Sequence, residues 1–362
     1  MKPQIVAFLM MLSCSTLLAA QIDPIAWEAP SSKGYTGSFA TNNRLADLKY
    51  IDLKGRSGPE DVVLGNDGYL YGATHDSAII QIDIKTGTTE TLASTGGRPL
   101  GLAFGPDGLL YIADAFLGLM VLNEKNEVEL LADKTASGSP ILYANNLDIT
   151  KTGVIYFTDS STRFGAAASG DTLAASMLDL MEHQTTGRVL KYDPASKTVD
   201  VVTDGFNFAN GIALSEDEQY LLVIETGAYK VHRIWLDGHK QGQREAVLTN
   251  MPGFPDNLTR AANNTFWLGL VSPRSAAIDK LSSWPYLRKI VQMLPESLRP
   301  KPQRYAHIVH IDGDGQVLET LQDAEGRYAM NTGAISGPDG ELIVTSLTEP
   351  RLGYLEAGWD KE

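Results

Sequence analysis

Cysteine is nearly absent from this sequence. Its single cysteine, Cys14, falls within the first twenty residues. A chain with one cysteine cannot form an internal disulfide bond, which excludes the small folds that disulfides hold together. The core must therefore be stabilised by apolar packing, for which a hydrophobic fraction of 43% is sufficient.

Long apolar runs are missing after the N-terminus, where no stretch reaches the roughly 20 residues of a membrane-spanning helix. The first residues are different. Lys2 is followed by the apolar stretch Ile5 to Leu12 and by Leu18-Ala-Ala20, a small-residue cleavage site before Gln21. This pattern is typical of an export signal, so we expect residues 1–20 to be removed and the mature chain to be periplasmic or secreted.

A second interpretation of this leader stays open. Met11-Leu-Ser-Cys14 could be the acylation site of a lipoprotein, although methionine is unusual at the third position before such a cysteine. The chain would then be lipid-anchored instead of released.

Positive charge is also scarce. The chain has 30 Lys and Arg against 44 Asp and Glu, a formal net charge of -14. Nucleic acid and anionic membrane surfaces would be repelled by this excess, so they are not expected partners of the chain as a whole. Metal cations and neutral small molecules remain compatible with it.

A repeat runs through the chain. Six positions are each followed eleven residues later by an apolar or aromatic residue, and seven residues after each position lies a turn such as Asp67-Gly68 or Asp107-Gly108. The six positions are Glu60, Leu100, Asn145, Asn210, Asp256 and Thr332. Internal periodicity of this kind indicates an array of identical structural units.

Each unit has the pattern of four short strands. In the first, Asp61–Leu64, Tyr69–Thr74, Ala78–Asp83 and Thr89–Leu92 alternate with turns. Asp-Gly is a strong hairpin signal because glycine accepts positive φ without steric cost. Four antiparallel strands repeated six times predict an all-β fold, a six-bladed β-propeller.

An N-terminal arm, one strand and two insertions lie outside the repeats. Residues 21–43 are predicted to form the irregular arm. Residues 44–362 are predicted to form the propeller, in which a strand at Arg44–Leu53 completes the last blade. Insertions at 161–186 and 272–304 interrupt the third and fifth units. Apolar residues at helical spacing predict a helix at Thr172–Glu182 and one amphipathic helix before Pro295. We expect both insertions over one mouth of the channel; packing against blade edges and membrane docking of the basic second helix are the alternatives.

Four of the six repeat positions carry a carboxylate or an amide oxygen, and none of the six carries a thiol or an imidazole. Because the first strand of each propeller blade lines the central channel, Glu60, Asn145, Asn210 and Asp256 should converge there. Hard oxygen ligands suit Ca²⁺ better than Zn²⁺, which favours nitrogen and sulfur. The sequence predicts a calcium site whose role is catalytic, with a structural calcium, or polar side chains satisfied by channel water, as alternatives.

Seven segments of the repeat units form a recognisable set of motifs. They are Gly58-Pro-Glu-Asp61, Arg98-Pro-Leu-Gly-Leu-Ala-Phe104, Asn145-Asn-Leu-Asp148, Tyr156-Phe-Thr-Asp-Ser-Ser161, Gly187-Arg-Val-Leu-Lys-Tyr-Asp193, Ala209-Asn-Gly-Ile-Ala-Leu214 and Gly253-Phe-Pro-Asp-Asn-Leu258. As a set they resemble the strictosidine synthase-like proteins, and most closely the adipocyte plasma membrane-associated type, in the superfamily that contains gluconolactonases, paraoxonases and diisopropyl fluorophosphatase.

The resemblance implies a central calcium held by Glu60, Asn145, Asn210 and Asp256, with Asn257 contributing as in the paraoxonase pattern. It also places Asp61 and Asn146 where paraoxonases bind a second, structural calcium, but an asparagine replaces the acid there, so that site stays open. Leu100 replaces the catalytic histidine of paraoxonases, and Asn331-Thr-Gly333 has no counterpart of the catalytic glutamate of strictosidine synthase. Neither of those mechanisms is expected.

Further polar residues follow the second strands. We predict that His75, Asp114, Glu225 and Arg274 contact substrate at the mouth, although His75 could be an ordinary loop histidine. Asp114, like Asp159, could cap a turn, and Glu225 could pair with Arg274 or Arg233.

The sequence therefore predicts an exported, calcium-dependent hydrolase of lactones or aryl esters. Asp256 would be both metal ligand and general base for the attacking water. A ligand- or protein-binding propeller with a structural calcium, and a phosphotriesterase, are the alternatives.

Overall fold

The computed structural model describes residues 22–361 as a six-bladed β-propeller, as the repeat predicts. Residues 1–21, which contain the predicted leader and Cys14, lie outside the described residues, as does residue 362. No helix within residues 22–361 is long and apolar enough to cross a bilayer.

Each blade is a four-stranded antiparallel sheet. Blade 1 contains β2 (Val62–Leu64), β3 (Leu70–Ala73), β4 (Ala78–Asp83) and β5 (Thr88–Ser94). Blade 2 contains β6 (Pro99–Phe104), β7 (Leu110–Asp114), β8 (Gly118–Leu122) and β9 (Val128–Ala132). Blade 3 contains β10 (Ala144–Ile149), β11 (Ile155–Asp159), β12 (Gly187–Asp193) and β13 (Thr198–Phe206). Blade 4 contains β14 (Ala209–Leu214), β15 (Tyr220–Glu225), β16 (Lys230–Trp235) and β17 (Arg244–Leu248). Blade 5 contains β18 (Gly253–Arg260), β19 (Thr265–Pro273), β20 (Ala306–Asp312) and β21 (Val317–Asp323).

The sixth blade is built from both ends of the described chain. Its strands are β22 (Asn331–Ser336), β23 (Leu342–Ser346), β24 (Arg351–Leu355) and β1 (Lys49–Asp52), with β1 outermost against β24. The N-terminal strand thus completes the last blade, as predicted, but it is shorter than the alternating pattern suggests. Residues 44–47 form a turn instead of its first half.

Apolar side chains pack between neighbouring blades. Blades 6 and 1, for example, share a cluster that includes Ile51, Val62, Leu70, Ile343 and Leu352. Burial of one such side chain contributes about 1.5–3 kcal/mol. Because every blade boundary is filled in this way, the ring holds its inner strands at fixed positions around the channel.

The inner strands are irregular where the repeat positions lie. In five blades the pairing between first and second strand shifts register at this point, at Leu100, Asn145, Asn210, Asp256 and Thr332. A bulge places an extra residue in one strand and changes the direction of its side chain. The sixth position, Glu60, lies just before β2.

The first insertion follows the second strand of blade 3 and is helical. It contains α1 (Ala166–Ser169) and α2 (Thr172–Glu182). The bounds of α2 match the predicted helix. Asp171 caps its first turn by accepting a hydrogen bond from the amide of Ala174 at 3.2 Å.

The second insertion, in blade 5, contains two helices where the sequence pattern suggests one. They are α3 (Ala276–Lys280) and α4 (Pro285–Met293). The break falls at Pro285, because proline has no amide hydrogen to donate and disfavours helical backbone in the preceding residue. Proline is well tolerated at the start of a helix, where it begins α4.

The N-terminal arm joins the two insertions. The amide of Ile25 donates to the carbonyl of Glu182 in α2, and the amide of Trp27 donates to the carbonyl of Ser282 between α3 and α4, both at 3.1 Å. The Trp27 ring also stacks on His183 at 3.8 Å. The arm therefore fixes both insertions on the same side of the ring.

Candidate metal centre and cavity

The candidate ligands are buried in the channel, and their oxygens lack partners. Within residues 22–361, no hydrogen-bond partner is found for the Oδ1 atoms of Asn145, Asn210, Asp256 and Asn257. Buried polar atoms in folded proteins are nearly always satisfied. Four such oxygens on neighbouring inner strands are therefore a chemical signature of a site for a cation.

The amide groups are oriented by hydroxyls. Nδ2 of Asn145 donates to Ser160 Oγ at 3.0 Å, and Nδ2 of Asn210 donates to Thr226 Oγ1 at 3.2 Å. Each hydroxyl in turn donates to a carbonyl of the next blade, Ser160 to Ala209 and Thr226 to Pro255, both at 2.7 Å. Because nitrogen is engaged in this way, the oxygen of each amide is left free.

Glu60 is held from two directions. Its carboxylate accepts a hydrogen bond from buried Arg98 at 3.3 Å, and its backbone carbonyl accepts one from Nδ2 of Asn257 at 3.0 Å. Burial raises the pKa of Glu60 to about 7, although the Arg98 charge opposes this shift. Arg98 stands two residues before the repeat position Leu100, and periodicity at the repeat positions alone could not identify it.

The second carboxylate of the set is more strongly affected. Burial raises the pKa of Asp256 well above its ordinary value, and the nearby Glu60 charge raises it further. Two buried acids of like charge disfavour ionisation, and a divalent cation between them would reverse that preference. The residues therefore fit a hard cation such as Ca²⁺, which binds carboxylate and amide oxygens.

The side chains at the two remaining repeat positions, Leu100 and Thr332, are engaged in other contacts and do not add to the candidate metal ligands. Leu100 packs in an apolar cluster with Ala115, Tyr143 and Phe208. The hydroxyl of Thr332 donates to the Glu60 carbonyl at 2.6 Å. Among residues 22–361 no group of three or more His, Cys, Asp and Glu side chains could hold a metal, so any cation here depends on the asparagine oxygens.

The two residues where the resemblance would place a second calcium, Asp61 and Asn146, make hydrogen bonds between blades. Asp61 Oδ2 accepts a hydrogen bond from the amide of Leu102 at 3.0 Å, and Asn146 Oδ1 accepts one from the amide of Ile212 at 3.1 Å. Burial raises the pKa of Asp61 to about 7. These oxygens tie blade 1 to blade 2 and blade 3 to blade 4.

A cavity above the ring reaches two of the candidate ligands, Asn210 and Asp256. Its other walls come from both insertions and from blade residues at the mouth. They include Leu173, Met177, Leu180, Phe208, Phe254, Val271, Ile278 and Lys301. The insertions therefore form an apolar chamber over the channel, with Asp256 and Lys301 as the charged groups among its described lining residues.

Of the four mouth residues predicted to bind substrate, the described lining of this chamber contains none. His75 is half exposed and lies 3.6 Å from the Asp171 carboxylate at the start of α2. Asp114 is buried and accepts hydrogen bonds from the amides of Arg98 and Phe116, both at 2.9 Å, which is the turn-capping alternative. Asp159 likewise accepts from the amide of Tyr143 at 2.8 Å.

The other two residues contact neighbouring structure. Glu225 pairs with Nε2 of His232 at 2.7 Å, not with an arginine as the sequence suggested. Arg274 binds Asp279 at 2.9 Å and the carbonyl of Pro30 at 2.7 Å, and so joins the second insertion to the arm. Lys301, which does line the chamber, lies in irregular backbone where no periodic signal pointed to it.

Comparison with known proteins supports the family resemblance. Residues 145–239 match the strictosidine synthase family model and residues 37–82 the strictosidine synthase-like N-terminal model. Strictosidine synthase-like 10 of Arabidopsis thaliana is 34% identical over 85% of this chain and 87% of that protein. The adipocyte plasma membrane-associated protein of Danio rerio is 30% identical over 97% of this chain and 88% of that protein. A shorter match, to strictosidine synthase-like 13 of Arabidopsis thaliana, is 38% identical over 64% of this chain and 57% of that protein.

Solved structures show the same fold. A gluconolactonase from Xanthomonas campestris has a TM-score of 0.61 at 16% identity, over 92% of this chain and 97% of that chain. The calcium-binding protein regucalcin from Agrobacterium tumefaciens has a TM-score of 0.59 at 14% identity, over 86% and 94%. The sequence matches, which span most of this chain and of two of the relatives, place it by descent: the chain belongs to the strictosidine synthase-like family, together with the adipocyte plasma membrane-associated proteins.

Proposed function

We propose that this protein is an exported, calcium-dependent hydrolase of lactones or aryl esters. The observation that carries the proposal is the set of four unpartnered, buried oxygens, two of which belong to residues that line an apolar chamber, Asn210 and Asp256. A site that only braced the ring would not need an adjoining chamber, whereas a hydrolase needs both a charged centre and a place for its substrate.

The candidate ligands are Glu60, Asn145, Asn210, Asp256 and Asn257. A bound calcium would supply positive charge that polarises a carbonyl oxygen and makes water more acidic. Asp256 is the carboxylate of this set that lines the chamber. It is therefore the group placed to accept a proton from water entering from that side.

The chamber walls suggest what the substrate looks like. Leu173 and Met177 of α2 and Phe254 of blade 5 present apolar surface to the chamber. Such walls bury an acyl or aryl group and exclude bulk water from the reacting carbonyl. Lys301 adds one cation at the rim, where it would favour a substrate with an acidic or electron-rich end.

The names of similar proteins agree with this proposal. The structural neighbours include a gluconolactonase and a calcium-binding protein, though at 16% and 14% identity they support the fold, not the substrate. The plasma membrane association named for the Danio rerio relative agrees with a location outside the cytoplasm.

One observation favours a second candidate function. No histidine is found among the described residues that line the chamber, so the histidine-assisted route of paraoxonases has no counterpart here. A ligand-binding propeller with a structural calcium would have this composition. A phosphotriesterase would use the same donor set on a phosphoryl oxygen.

The test is a panel of lactones, aryl esters and phosphotriesters assayed with calcium and with a chelator. We expect hydrolysis of a lactone or ester that is lost on chelation and in Asp256→Asn, with His239→Asn as an exposed control. Full activity in either condition would contradict the proposal. Calcium-dependent stability without any turnover would instead establish the binding propeller.

A further inference from the structure

Helix α4 is amphipathic, but its orientation is the reverse of the usual one. The residues that it buries are Arg288 and Gln292. Apart from the half-buried Val291, its large apolar residues point outward instead. Trp284 at the N-cap and Tyr286, Leu287, Ile290 and Met293 within the helix are exposed, Tyr286 by 74% and Trp284 by 61%.

This exposed surface is concentrated in one place. Of the thirteen exposed large hydrophobic residues within residues 22–361, six lie between Trp284 and Leu298. Single exposed apolar residues are ordinary on protein surfaces, but a contiguous group marks an interaction site. We call this group, Trp284, Tyr286, Leu287, Ile290, Met293 and Leu298, the α4 apolar face.

Arg288 fixes the helix in this orientation. Its guanidinium is fully buried and donates to the carbonyls of Met181, at 3.0 Å, and of Ile25. These two acceptors belong to α2 and to the N-terminal arm. Rotating α4 to bury its apolar face would turn Arg288 away from these carbonyls and remove both bonds, so the outward orientation is built into the packing.

The charge around α4 is opposite to that of the whole chain. Residues 272–304 contain seven basic residues and two acids, Asp279 and Glu296, in a chain with a net charge of -14. The basic residues are Arg274, Lys280, Arg288, Lys289, Arg299, Lys301 and Arg304. Within the described residues, Lys280, Lys289 and Lys301 form no ion pair, so their charges are available to an anionic surface.

The face also lies beside an opening that leads toward the chamber. A second cavity is lined by Val291, Gln292 and Arg299 of this insertion and by residues of α2. It shares Leu173, Met177, Pro300, Lys301 and Pro302 with the chamber that reaches Asp256. A molecule that enters beside α4 would meet the same walls that line the candidate site.

We infer that the α4 apolar face docks the protein onto an anionic membrane surface. An interfacial helix combines apolar and aromatic residues on one side with basic residues around it, and binds through both apolar burial and charge attraction. The local positive charge favours this occupant over a symmetric dimer formed through the same face, because Lys280 and Lys289 of the two copies would then repel each other. Docking would place the second cavity next to lipid, from which apolar substrates can enter.

The test measures binding of the full chain to vesicles of phosphatidylcholine, with and without about 30 mol% phosphatidylglycerol. The test variant is the triple substitution Leu287→Ser, Ile290→Ser and Met293→Ser. Its matched control is Leu130→Ser, Val201→Ser and Leu318→Ser, three residues that are comparably exposed on outer blade strands. All variants keep the same N-terminus, so any contribution of a leader or lipid anchor is common to them.

We expect the wild type and the control to bind the anionic vesicles, and the α4 variant to bind at least ~10-fold more weakly. Lys280→Glu with Lys289→Glu should weaken binding to anionic vesicles and leave the binding to neutral vesicles unchanged. Equal melting temperatures of the variants would show that folding is intact. Equal binding by the α4 variant and the wild type, or no binding by the wild type, would overturn the inference and favour a protein partner for this face.

The docking inference does not depend on the proposed hydrolysis. A variant at Asp256 should bind vesicles like the wild type even if it is inactive. Conversely, an α4 variant should hydrolyse a water-soluble ester at the wild-type rate, since none of the substituted residues lines the chamber.

Discussion

The hydroxyl of Thr332, in blade 6, donates a 2.6 Å hydrogen bond to the backbone carbonyl of Glu60, the first residue of the candidate ligand set. The same carbonyl accepts a bond from Asn257 in blade 5. The start of the repeat array is thus attached to its last two blades at the channel, and the position of one candidate ligand depends on ring closure.

Removing this hydroxyl should weaken the closed ring. We expect Thr332→Val to lower the free energy of unfolding by about 1–2 kcal/mol, because the substitution keeps the side-chain shape but removes the buried hydrogen bonds of the hydroxyl with the Glu60 carbonyl and with Thr345 Oγ1. Urea unfolding with calcium and with a chelator would measure it. Thr332→Ser retains the hydroxyl and serves as the control; a loss as large as that of the valine variant would show that the hydroxyl is not responsible.

The hydroxyl of Thr226 should control the orientation of Asn210. In Thr226→Val the amide nitrogen of Asn210 loses the Thr226 hydroxyl and keeps only its hydrogen bond with the Asp256 carboxylate, so the amide oxygen is held less firmly toward the channel. We expect calcium affinity, measured by titration calorimetry, to fall about tenfold, which corresponds to about 1.4 kcal/mol. Thr226→Ser should bind like the wild type. Unchanged affinity in the valine variant would argue against Asn210 as a ligand.

Calcium stabilisation should depend on pH. In the metal-free protein, burial raises the pKa of Glu60 from 4.5 to about 7 and raises that of Asp256 above its ordinary value. Between about pH 4.5 and pH 7 the folded state therefore holds more protons than the unfolded chain. This pair of carboxyl groups favours folding at low pH and opposes it as pH rises through about 7. Calcium binds the deprotonated carboxylates, so its stabilising effect on the folded state increases as pH rises.

The difference in melting temperature between calcium and chelator should therefore be small near pH 5.5 and increase toward about pH 8. Taking the difference cancels groups that do not interact with the cation. In Glu60→Gln the dependence on pH should become shallower. A calcium effect that is constant over this range would contradict the ligand assignment.

His307 should destabilise the protein in acid. It is buried beside Tyr35, Phe39 and Tyr305, and burial lowers its pKa from 6.5 to about 3. The unfolded chain then binds a proton that the folded state excludes, so stability falls as pH decreases below about 6.5.

We expect His307→Phe to increase the free energy of unfolding by about 1–2 kcal/mol more at pH 5 than at pH 8. Chemical unfolding at both pH values would measure this difference. His239→Phe makes the same substitution at an exposed position and serves as the control. A loss of stability in His307→Phe that is equal at both pH values would point to a packing effect instead of protonation.

The sequence predicted the fold and the location of the donor set because both follow from one repeating offset. Once Glu60, Asn145, Asn210 and Asp256 occupy equivalent positions in a ring of blades, closure brings them together. The bulges at Asn145, Asn210 and Asp256 were not predicted. The same register could not show that Ser160 and Thr226 orient the asparagine amides, because a hydroxyl leaves no periodic signal.

The insertions were harder to interpret for a physical reason. Helical spacing shows that α4 has an apolar side, but not which side faces the protein. Its orientation is set by Arg288, whose acceptors at Ile25 and Met181 are distant in sequence. Lys301 enters the chamber from backbone with no repeat, and the partner of Glu225, His232, became visible only once adjacent strands were paired.

The pairing of β1 with β24 has a consequence for how the molecule is made. Lys49 pairs across the sheet with Tyr354, which is synthesised about 300 residues later. Five blades can form from local hairpins while the chain is still being extended, but the ring cannot close until β24 is available. The channel, and any cation site within it, is therefore completed only after β24 has been synthesised.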